Sequence, residues 1–280
     1  MSLSPFPHID FRTLRNYDFQ CLNKIPNSRF DVKFSNKFRQ TTRTITKAQG
    51  SSCIEVRGVE YRAPGTHHNL LQNINFSIPE RSLGLIFGKS GSGKTTLLQL
   101  LSGLSKPTSG TICIQRYRSN DGSPIEPPES LSPNRVGIVF QFPERYFVAD
   151  TILEEVTFGW PANTSREQLA LKLQNAFNSV GLHNISMEES PHNLSGGYKR
   201  RLALAIQLVE TPDLLLLDEP LAGLDWKARA DVVRLLKHLK KEVTLLVVSH
   251  DLKEFSGLVD HSWKMEMGGN LREEPLPFYK

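Results

Sequence analysis

The chain has 280 residues, of which 39% are hydrophobic and 22% are charged, and its net charge is +5 at pH 7. This composition predicts an ordinary globular protein. The longest apolar runs, Leu214–Leu217 and Val243–Val248, are far shorter than the roughly 20 residues of a membrane-spanning helix, so direct membrane insertion is not expected. Three widely spaced cysteines, Cys21, Cys53 and Cys113, form neither a disulfide framework nor a metal-ligand pattern, which indicates a reducing compartment.

The positive charge is concentrated at the beginning of the chain. Residues 1–50 contain nine Lys and Arg against three Asp, a net charge of +6, so the rest of the chain carries −1 and shows no footprint for nucleic acid. The segment is rich in Ser and Thr and lacks an apolar run, which is typical of a transit peptide. Pro5 and Pro7 oppose an amphipathic helix and favour a plastid over a mitochondrial signal. The alternative is a disordered basic tail that stays on the protein.

The next part of the chain predicts strands and a helix. Apolar residues alternate between Ile54 and Ile78, and Leu83–Phe87 has the length and composition of a buried strand. Leucines at helical spacing follow between Leu97 and Leu104. Tyr61 falls at the end of a predicted strand, where a tyrosine considered alone usually packs in the core.

A glycine-rich loop connects that strand to that helix and matches the phosphate-loop pattern G-x-x-x-x-G-K-[ST]. Glycines let successive backbone N–H groups curve around a phosphate at a helix N-terminus. Lys94 supplies charge for the β- and γ-phosphates, and the Thr95 hydroxyl can ligate Mg²⁺. The flanking strand and helix argue against a chance glycine-rich turn. The predicted nucleotide-binding residues are Gly88, Lys89, Ser90, Gly91, Ser92, Gly93, Lys94, Thr95 and Thr96.

The middle of the chain mixes strand, loop and helix patterns. Thr111–Ile114 predicts a short strand, and the polar, proline-bearing residues 115–134 predict a surface loop. Val136–Phe140 predicts another buried strand, which ends at Gln141. From Thr151 to Gly181 the apolar spacing is helical, so we expect a helical subdomain that interrupts the series of strands.

The last third contains two further motifs. Leu194–Gly197 opens a predicted helix, and Leu214–Glu219 predicts a buried strand that delivers two carboxylates to its carboxyl end, where open α/β sheets bind ligands. A helix over Trp226–Leu239 and a strand over Val243–Val248 follow, with His250 just after that strand.

Taken in order, these motifs resemble those of the ATP-binding cassette (ABC) ATPases over roughly residues 54–270. The features that carry the resemblance are the phosphate loop, Gln141, Leu194-Ser195-Gly196-Gly197, Asp218-Glu219, Leu224-Asp225 and His250. The resemblance implies an α/β fold, a P-loop NTPase nucleotide-binding domain with a mostly parallel core sheet, an N-terminal antiparallel β subdomain and an α-helical subdomain. The expected divisions are a transit peptide or disordered basic segment over 1–50, an ABC ATPase domain over 51–275 with its helical subdomain at about 145–200, and a tail over 276–280.

Within this family the chain is similar to one group. Phe140–Phe147, together with Thr151–Gly159, resembles the cobalt-type and energy-coupling-factor ATPases, which serve separate membrane proteins. With the N-terminal segment included, the chain resembles the plant chloroplastic, non-intrinsic members of the ABC transporter I family. Tyr198 replaces a common glutamine and Ala222-Gly223 a frequent Ser-Ala, but neither departure affects a phosphate-facing role.

The resemblance implies ATP and Mg²⁺ as cofactors and assigns residues to them. Tyr61 would stack on adenine, a contact worth about 1–3 kcal/mol by analogy with base–aromatic stacking. The implied metal-site residues are Thr95 and Gln141, with Asp218 behind them through water.

The resemblance also implies the catalytic residues. They are Glu219 as general base for the attacking water, His250, Gln141 and Lys94. Considered alone, Glu219 is also compatible with a helix cap or a salt bridge, and His250 with packing. The signature residues Ser195, Gly196 and Gly197 would contact ATP that is held by a second cassette.

The implied function is ATP hydrolysis that powers transport by separate membrane subunits, with import of a metal ion, vitamin or other small cofactor in plastids. The expected partners are a second ABC ATPase, identical or paralogous, and a transmembrane subunit, with no nucleic acid. The expected location is the stromal side of a plastid membrane. A soluble ABC ATPase of plastid iron–sulfur assembly is the alternative. A translation or repair ABC protein is disfavoured because the chain has one set of motifs, and a GTPase because no Asn-Lys-x-Asp motif occurs.

The loop after Gln141 is predicted to dock on the membrane partner. It connects a predicted Mg²⁺ ligand to the helical subdomain, and Phe142, Tyr146 and Phe147 supply apolar anchors. Local packing of these aromatic side chains is the alternative.

Overall fold

The computed structural model describes residues 50–118, 122–160 and 165–276. The predicted transit segment, apart from Gly50, and residues 277–280 of the predicted tail lie outside the described residues. The strands are β1 (Gly50–Tyr61), β2 (Leu71–Pro79), β3 (Leu83–Phe87), β4 (Ser109–Arg118), β5 (Glu129–Ser130), β6 (Val136–Val139), β7 (Leu214–Asp218), β8 (Thr244–Val248), β9 (His261–Met265) and β10 (Leu271–Glu273). The α-helices are α1 (Lys94–Leu101), α2 (Ile152–Thr157), α3 (Arg166–Ser179), α4 (Gly196–Leu208), α5 (Trp226–Leu239) and α6 (Leu252–Phe255).

Strands β1, β2, β4 and β5 form an antiparallel sheet in the order β2-β1-β4-β5. Its inward face follows the alternation of the sequence, since Leu71, Ile74, Phe76 and Ile78 of β2 are buried and the residues between them are mostly exposed. The predicted N-terminal antiparallel subdomain is therefore confirmed.

The core sheet has the order β10-β9-β3-β8-β7-β6, and every pair is parallel except β10 with β9. All residues of β3, β7 and β8 are buried, because apolar side chains cover the sheet on both faces. One face packs with α3, α4 and α5, and the other with α1 and the antiparallel sheet. The predicted α/β fold with a mostly parallel sheet is confirmed, and parallel pairing brings the carboxyl ends of its strands to one edge.

The stretch between β6 and β7 contains α2, α3 and α4, as the helical periodicity predicts. Ser165 caps α3, and its hydroxyl accepts a hydrogen bond from the backbone N–H of Gln168. The apolar side chains Leu173, Phe177 and Val180 are buried against the core. Short 3₁₀ turns at Pro143–Tyr146 and Pro191–Asn193 lie within this stretch, and a third at Pro133–Arg135 precedes β6.

The predicted boundary of the fourth strand was wrong. β4 extends over Ser109–Arg118, well beyond Thr111–Ile114, and β5 lies inside the predicted loop. Polar residues continue the strand because β1 supplies their backbone partners, with Gly50 opposite Arg118. The side chain of Gln115 is buried and donates a hydrogen bond to the carbonyl of Glu126.

Across the described ranges, no helix combines the length and the apolar character that crossing a membrane requires.

Candidate nucleotide site

The phosphate loop lies between the end of β3 and the beginning of α1, as predicted. Its backbone needs glycine at two points of close approach. A Cβ on Gly88, which has φ 151°, would lie 2.2 Å from the carbonyl oxygen of Met265, and one on Gly93, with φ 105°, would lie 2.7 Å from Cδ2 of Leu71. Glycine at these positions lets the loop pass close to Met265 and Leu71 as it enters the N-terminus of α1, a position suited to binding an anion.

Lys94 extends back along this loop. Its Nζ donates to the carbonyl oxygens of Gly88 at 2.8 Å and Lys89 at 2.9 Å. Burial lowers the pKa of Lys94, while the nearby carboxylates of Glu219 and Asp218 oppose that shift. The loop thus holds the ammonium group of Lys94 within its own curve, a position that suits an anionic ligand.

The hydroxyl of Ser92 shows that the loop suits a further polar group. The Ser92 side chain is buried, and its Oγ has no hydrogen-bond partner among the described residues. An unpaired buried hydroxyl costs stability, so a site of this kind fits a ligand rich in oxygen acceptors. A phosphate is such a ligand.

The hydroxyl of Thr95 and the carboxylate of Asp218 meet beside the phosphate loop, and their oxygen atoms suit a cation. Oγ1 of Thr95 donates to Oδ2 of Asp218 at 3.2 Å, which joins α1 to the carboxyl end of β7. Burial raises the pKa of Asp218, and the hydrogen bond from Thr95 opposes the shift. A hydroxyl and a carboxylate next to bound phosphates are ligands that Mg²⁺ prefers, so the residues fit this metal.

Glu219 has a fixed and unusual conformation. Its φ is 46°, in the left-handed region, and its backbone N–H donates to the carbonyl of Val248 at 2.8 Å. Its Oε2 accepts from Oγ of Ser249 at 3.1 Å and from the backbone N–H of His250 at 3.3 Å. Its Oε1 is buried without a hydrogen bond, and Nε2 of His250 lies 3.3 Å away. A carboxylate oxygen held in this way can accept a proton from water.

Gln141 and Tyr61 lie at the rim of this region. Gln141 is exposed just beyond β6, which pairs in parallel with β7, so it shares the sheet edge that carries Asp218. Tyr61 is partly exposed at the end of β1 and pairs with Leu71, the residue against which Gly93 packs. Tyr61 therefore lies near the phosphate loop through Leu71, whereas Gln141 shares only the sheet edge of Asp218.

The signature residues form a separate exposed surface. Ser195 caps α4 and accepts a hydrogen bond from the backbone N–H of Tyr198. Gly196 lies against Leu224 and Gly197 against Ala228, so the beginning of α4 packs beside the beginning of α5. Within the described ranges, no hydrogen bond links these residues to the phosphate loop. The structure thus brings Lys94, Thr95 and Asp218 together at the phosphate loop, with Glu219 and His250 paired beside Asp218. It does not bring Ser195, Gly196 and Gly197 to this loop.

The prediction that Phe147 is an exposed docking anchor was wrong. Phe147 is buried in the core, with its ring 6.3 Å from that of His192. Tyr146 is 42% exposed and packs against Phe140, and Val148, two residues further along the chain, is 68% exposed. Consecutive apolar residues show no periodicity from which the buried side chain could be predicted. The 3₁₀ turn before Phe147 determines that this side chain points into the core.

The sequence reasoning also missed Ser249 and Arg200, two buried residues that contact this region. The position of Ser249 between the last strand residue and His250 was an available signal. No sequence signal marked Arg200 as buried, because it lies in the basic run Lys199–Arg201, and such a run is typical of an exposed surface.

The ATP-binding cassette ATPases are defined by a mostly parallel sheet with a phosphate loop, an Asp-Glu pair at the end of a strand and an exposed helix that begins at Leu-Ser-Gly-Gly. The family profile described as ABC transporter matches residues 71–222. The chain belongs to this family, as an ATPase subunit.

Three relatives place the chain within the family. It is 64% identical to ABC transporter I family member 11, chloroplastic, of Arabidopsis thaliana over 86% of this chain and 88% of that protein. It is 37% identical to the energy-coupling factor transporter ATP-binding protein EcfA2 of Clostridium acetobutylicum over 79% and 80% of the two chains. Its structure is similar to the dimeric cassette MJ0796 bound to ADP and Pi, with TM-score 0.60, 26% identity and coverage of 81% and 100%.

Proposed function

We propose that this chain hydrolyses ATP to power a transporter whose membrane-spanning subunit is a separate protein. The transporter would import a metal ion, vitamin or other small cofactor in plastids. The observation that carries the proposal is the convergence of Lys94, Thr95, Asp218 and Glu219 on one phosphate loop. The similarity to an energy-coupling factor protein supports the transport class, and the chloroplastic relative supports the plastid location. The stromal side of the membrane is part of the proposal.

The proposed roles combine the geometry of the loop with the family resemblance. The residues from Gly88 to Thr96 hold the phosphates of ATP, and Lys94 stabilises the charge of the β- and γ-phosphates. Thr95, Gln141 and Asp218 would hold Mg²⁺, which would neutralise charge on the phosphate oxygens. Tyr61 would stack on the adenine ring.

Glu219 is the proposed general base. Its buried Oε1 accepts a proton from the water that attacks the γ-phosphate, while Ser249 and the backbone of His250 hold Oε2 in place. The imidazole of His250, 3.3 Å from Oε1, orients the carboxylate or the phosphate. These contacts also explain why a left-handed conformation, which costs about 1–3 kcal/mol, is retained at this residue.

The proposal includes a second cassette. Ser195, Gly196 and Gly197 are exposed or partly exposed at a helix N-terminus, which suits an anion brought by another molecule. The dimeric state of the structurally similar cassette supports this arrangement. The partner is an identical chain or a paralogue, and the two would close on ATP between them.

The test is isolation of the tagged protein from solubilised plastid membranes. We expect a stoichiometric complex with a polytopic membrane protein, and ATP hydrolysis that changes when the complex is reconstituted in vesicles. Recovery with iron–sulfur scaffold proteins, and without any membrane protein, would instead support a role in cofactor assembly. ATP hydrolysis by the purified chain alone, abolished in Glu219→Gln, tests the site independently.

A further inference from the structure

Arg200 is a buried arginine on α4 that contacts two functional loops at once. It is 3% exposed, and its guanidinium donates to three backbone carbonyl oxygens. Nη1 lies 3.1 Å from the oxygen of Phe140 and 2.7 Å from that of Gln141, and Nη2 lies 3.1 Å from that of Ala222. Burial lowers the pKa of Arg200, with a smaller opposing effect of Glu144, but a guanidinium stays protonated in proteins.

The three carbonyls belong to the segments that carry the proposed chemistry. Phe140 and Gln141 form the beginning of the loop after β6. Ala222 closes the turn after Glu219, because its backbone N–H donates to the carbonyl of Glu219 at 3.0 Å. One side chain therefore connects the helix that begins at the signature to the loops of Gln141 and Glu219.

We propose that Arg200 is a positioning residue for ATP hydrolysis. It fastens the Gln141 loop and the turn after Glu219 to α4, so that movement of the signature helix toward the nucleotide of a second cassette carries both loops with it. The inference rests on the roles proposed for Gln141 and Glu219. Arg200 acts through backbone carbonyls and not on the substrate.

The chemistry of the side chain explains why arginine is required. A guanidinium is a rigid planar fork with five donors, which lets it bridge carbonyls on different loops. A lysine ammonium is a compact charge on a flexible stem and is not pre-organised for that geometry. Lysine at position 200 would keep the charge but release at least one loop.

Arg201 offers a matched control on the same helix. Its Nη1 donates to a single carbonyl, that of Val180 at 2.8 Å, which joins α4 to the end of α3. The change Arg201→Lys makes the same chemical substitution as Arg200→Lys at the next position of the helix. It leaves the contacts to Phe140, Gln141 and Ala222 intact.

The first experiment compares steady-state ATP hydrolysis by Arg200→Lys and Arg201→Lys. We expect Arg200→Lys to lower kcat about 10- to 100-fold with KM for ATP within about threefold, because small misplacements of reacting groups reduce turnover more than ground-state binding. Arg201→Lys should keep kcat within about twofold. Equal effects of the two changes, or a rise in KM that accounts for the loss, would overturn the proposal.

The second experiment separates positioning from folding. Each arginine change is combined with Glu219→Gln, and ATP-dependent dimer formation is followed by gel filtration. We expect dimers with both combinations, since Arg200 lies behind the signature surface. If the Arg200→Lys combination fails to form the dimer while the Arg201→Lys combination forms it, Arg200 is a structural residue. Should Arg200→Lys not fold, Arg200→Gln is tested in the same way, and failure of both overturns the inference. If Glu219→Gln by itself leaves turnover intact, the site assignment fails and the role of Arg200 with it, whereas normal turnover in Arg200→Lys with an inactive Glu219→Gln overturns the role of Arg200 alone.

Discussion

Oγ of Ser249 donates a hydrogen bond of 3.1 Å to Oε2 of Glu219, and so joins the residue after β8 to the residue after β7. Ser249 is fully buried, and the backbone N–H of His250 binds the same carboxylate oxygen at 3.3 Å. The two donors fix one oxygen of Glu219 and leave Oε1 without a hydrogen bond. Oε1, which lies 3.3 Å from Nε2 of His250, is the oxygen that our proposal assigns to the attacking water.

Ser249→Ala should lower kcat for ATP hydrolysis and leave ATP affinity unchanged. The change removes the hydrogen bond to the Glu219 carboxylate, worth about 1.5–3 kcal/mol, so the expected loss is roughly 10- to 100-fold. It also removes the hydrogen bond that Oγ accepts from the backbone N–H of Asp251 at 3.0 Å. Steady-state kinetics and equilibrium ATP binding test this together. Ser256→Ala, an exposed serine of the next turn, is the control and should match the wild type. A turnover unchanged in Ser249→Ala would show that the backbone contacts alone hold Glu219.

Lys94→Ala should weaken ATP binding severely. The ammonium group is held in the loop by the carbonyls of Gly88 and Lys89, and its removal takes away the charge that faces the phosphates. Loss of about 2–4 kcal/mol corresponds to roughly 30- to 1,000-fold in affinity. Equilibrium titration with ATP and Mg²⁺ measures it, with the exposed Lys106→Ala as control. Affinity near that of the wild type would remove Lys94 from the site.

Glu219→Gln should bind ATP but hydrolyse it at least about 100-fold more slowly, because the amide is nearly isosteric and does not accept the proton. The trapped nucleotide should stabilise an ATP-dependent dimer or heterodimer on gel filtration. Glu254→Gln, which changes an exposed carboxylate on α6, is the control. Hydrolysis within threefold of the wild-type rate would exclude Glu219 as the base.

Replacement of Tyr146 and Val148 together by Ser should release the protein from plastid membranes with ATP affinity intact. Both are exposed on the loop that follows the proposed Mg²⁺ ligand Gln141, whereas their neighbour Phe147 is buried. The carboxylate of Glu155 accepts from the backbone N–H of Val148 at 2.8 Å and fixes this loop on α2. Membrane fractionation is the measurement, and Leu171→Ser, at a 49% exposed apolar residue of α3, is the control. A double variant that stays on the membrane would place the docking surface elsewhere.

Residues 1–50 should direct import into plastids and be dispensable for the fold. A fusion of this segment to a fluorescent reporter should enter plastids, because the segment is basic, rich in Ser and Thr and poor in acids. The chain without residues 1–49 should keep the thermal unfolding midpoint of the full protein. Reporter in the cytosol or in mitochondria would contradict the interpretation.

The sequence by itself determined the parts of this protein that depend on neighbouring residues. The phosphate loop needs glycines between a strand and a helix, and that pattern is complete within Gly88–Thr96. The apolar run of β7 predicts a parallel buried strand, and in a parallel sheet the strand end necessarily carries Asp218 and Glu219 to the ligand edge. The caps at Ser165 and Ser195 follow from the same short-range chemistry.

The tertiary structure alone decided which distant groups meet. Arg200 contacts carbonyls 59 and 22 positions away, and Ser249 reaches a carboxylate 30 positions away. β4 is long because β1 supplies its backbone partners, and Phe147 is buried because the preceding 3₁₀ turn directs it inward. Local propensity and periodicity carry no information about such partners, since the hydrogen bonds and burial that fix them form only when separate segments pack together.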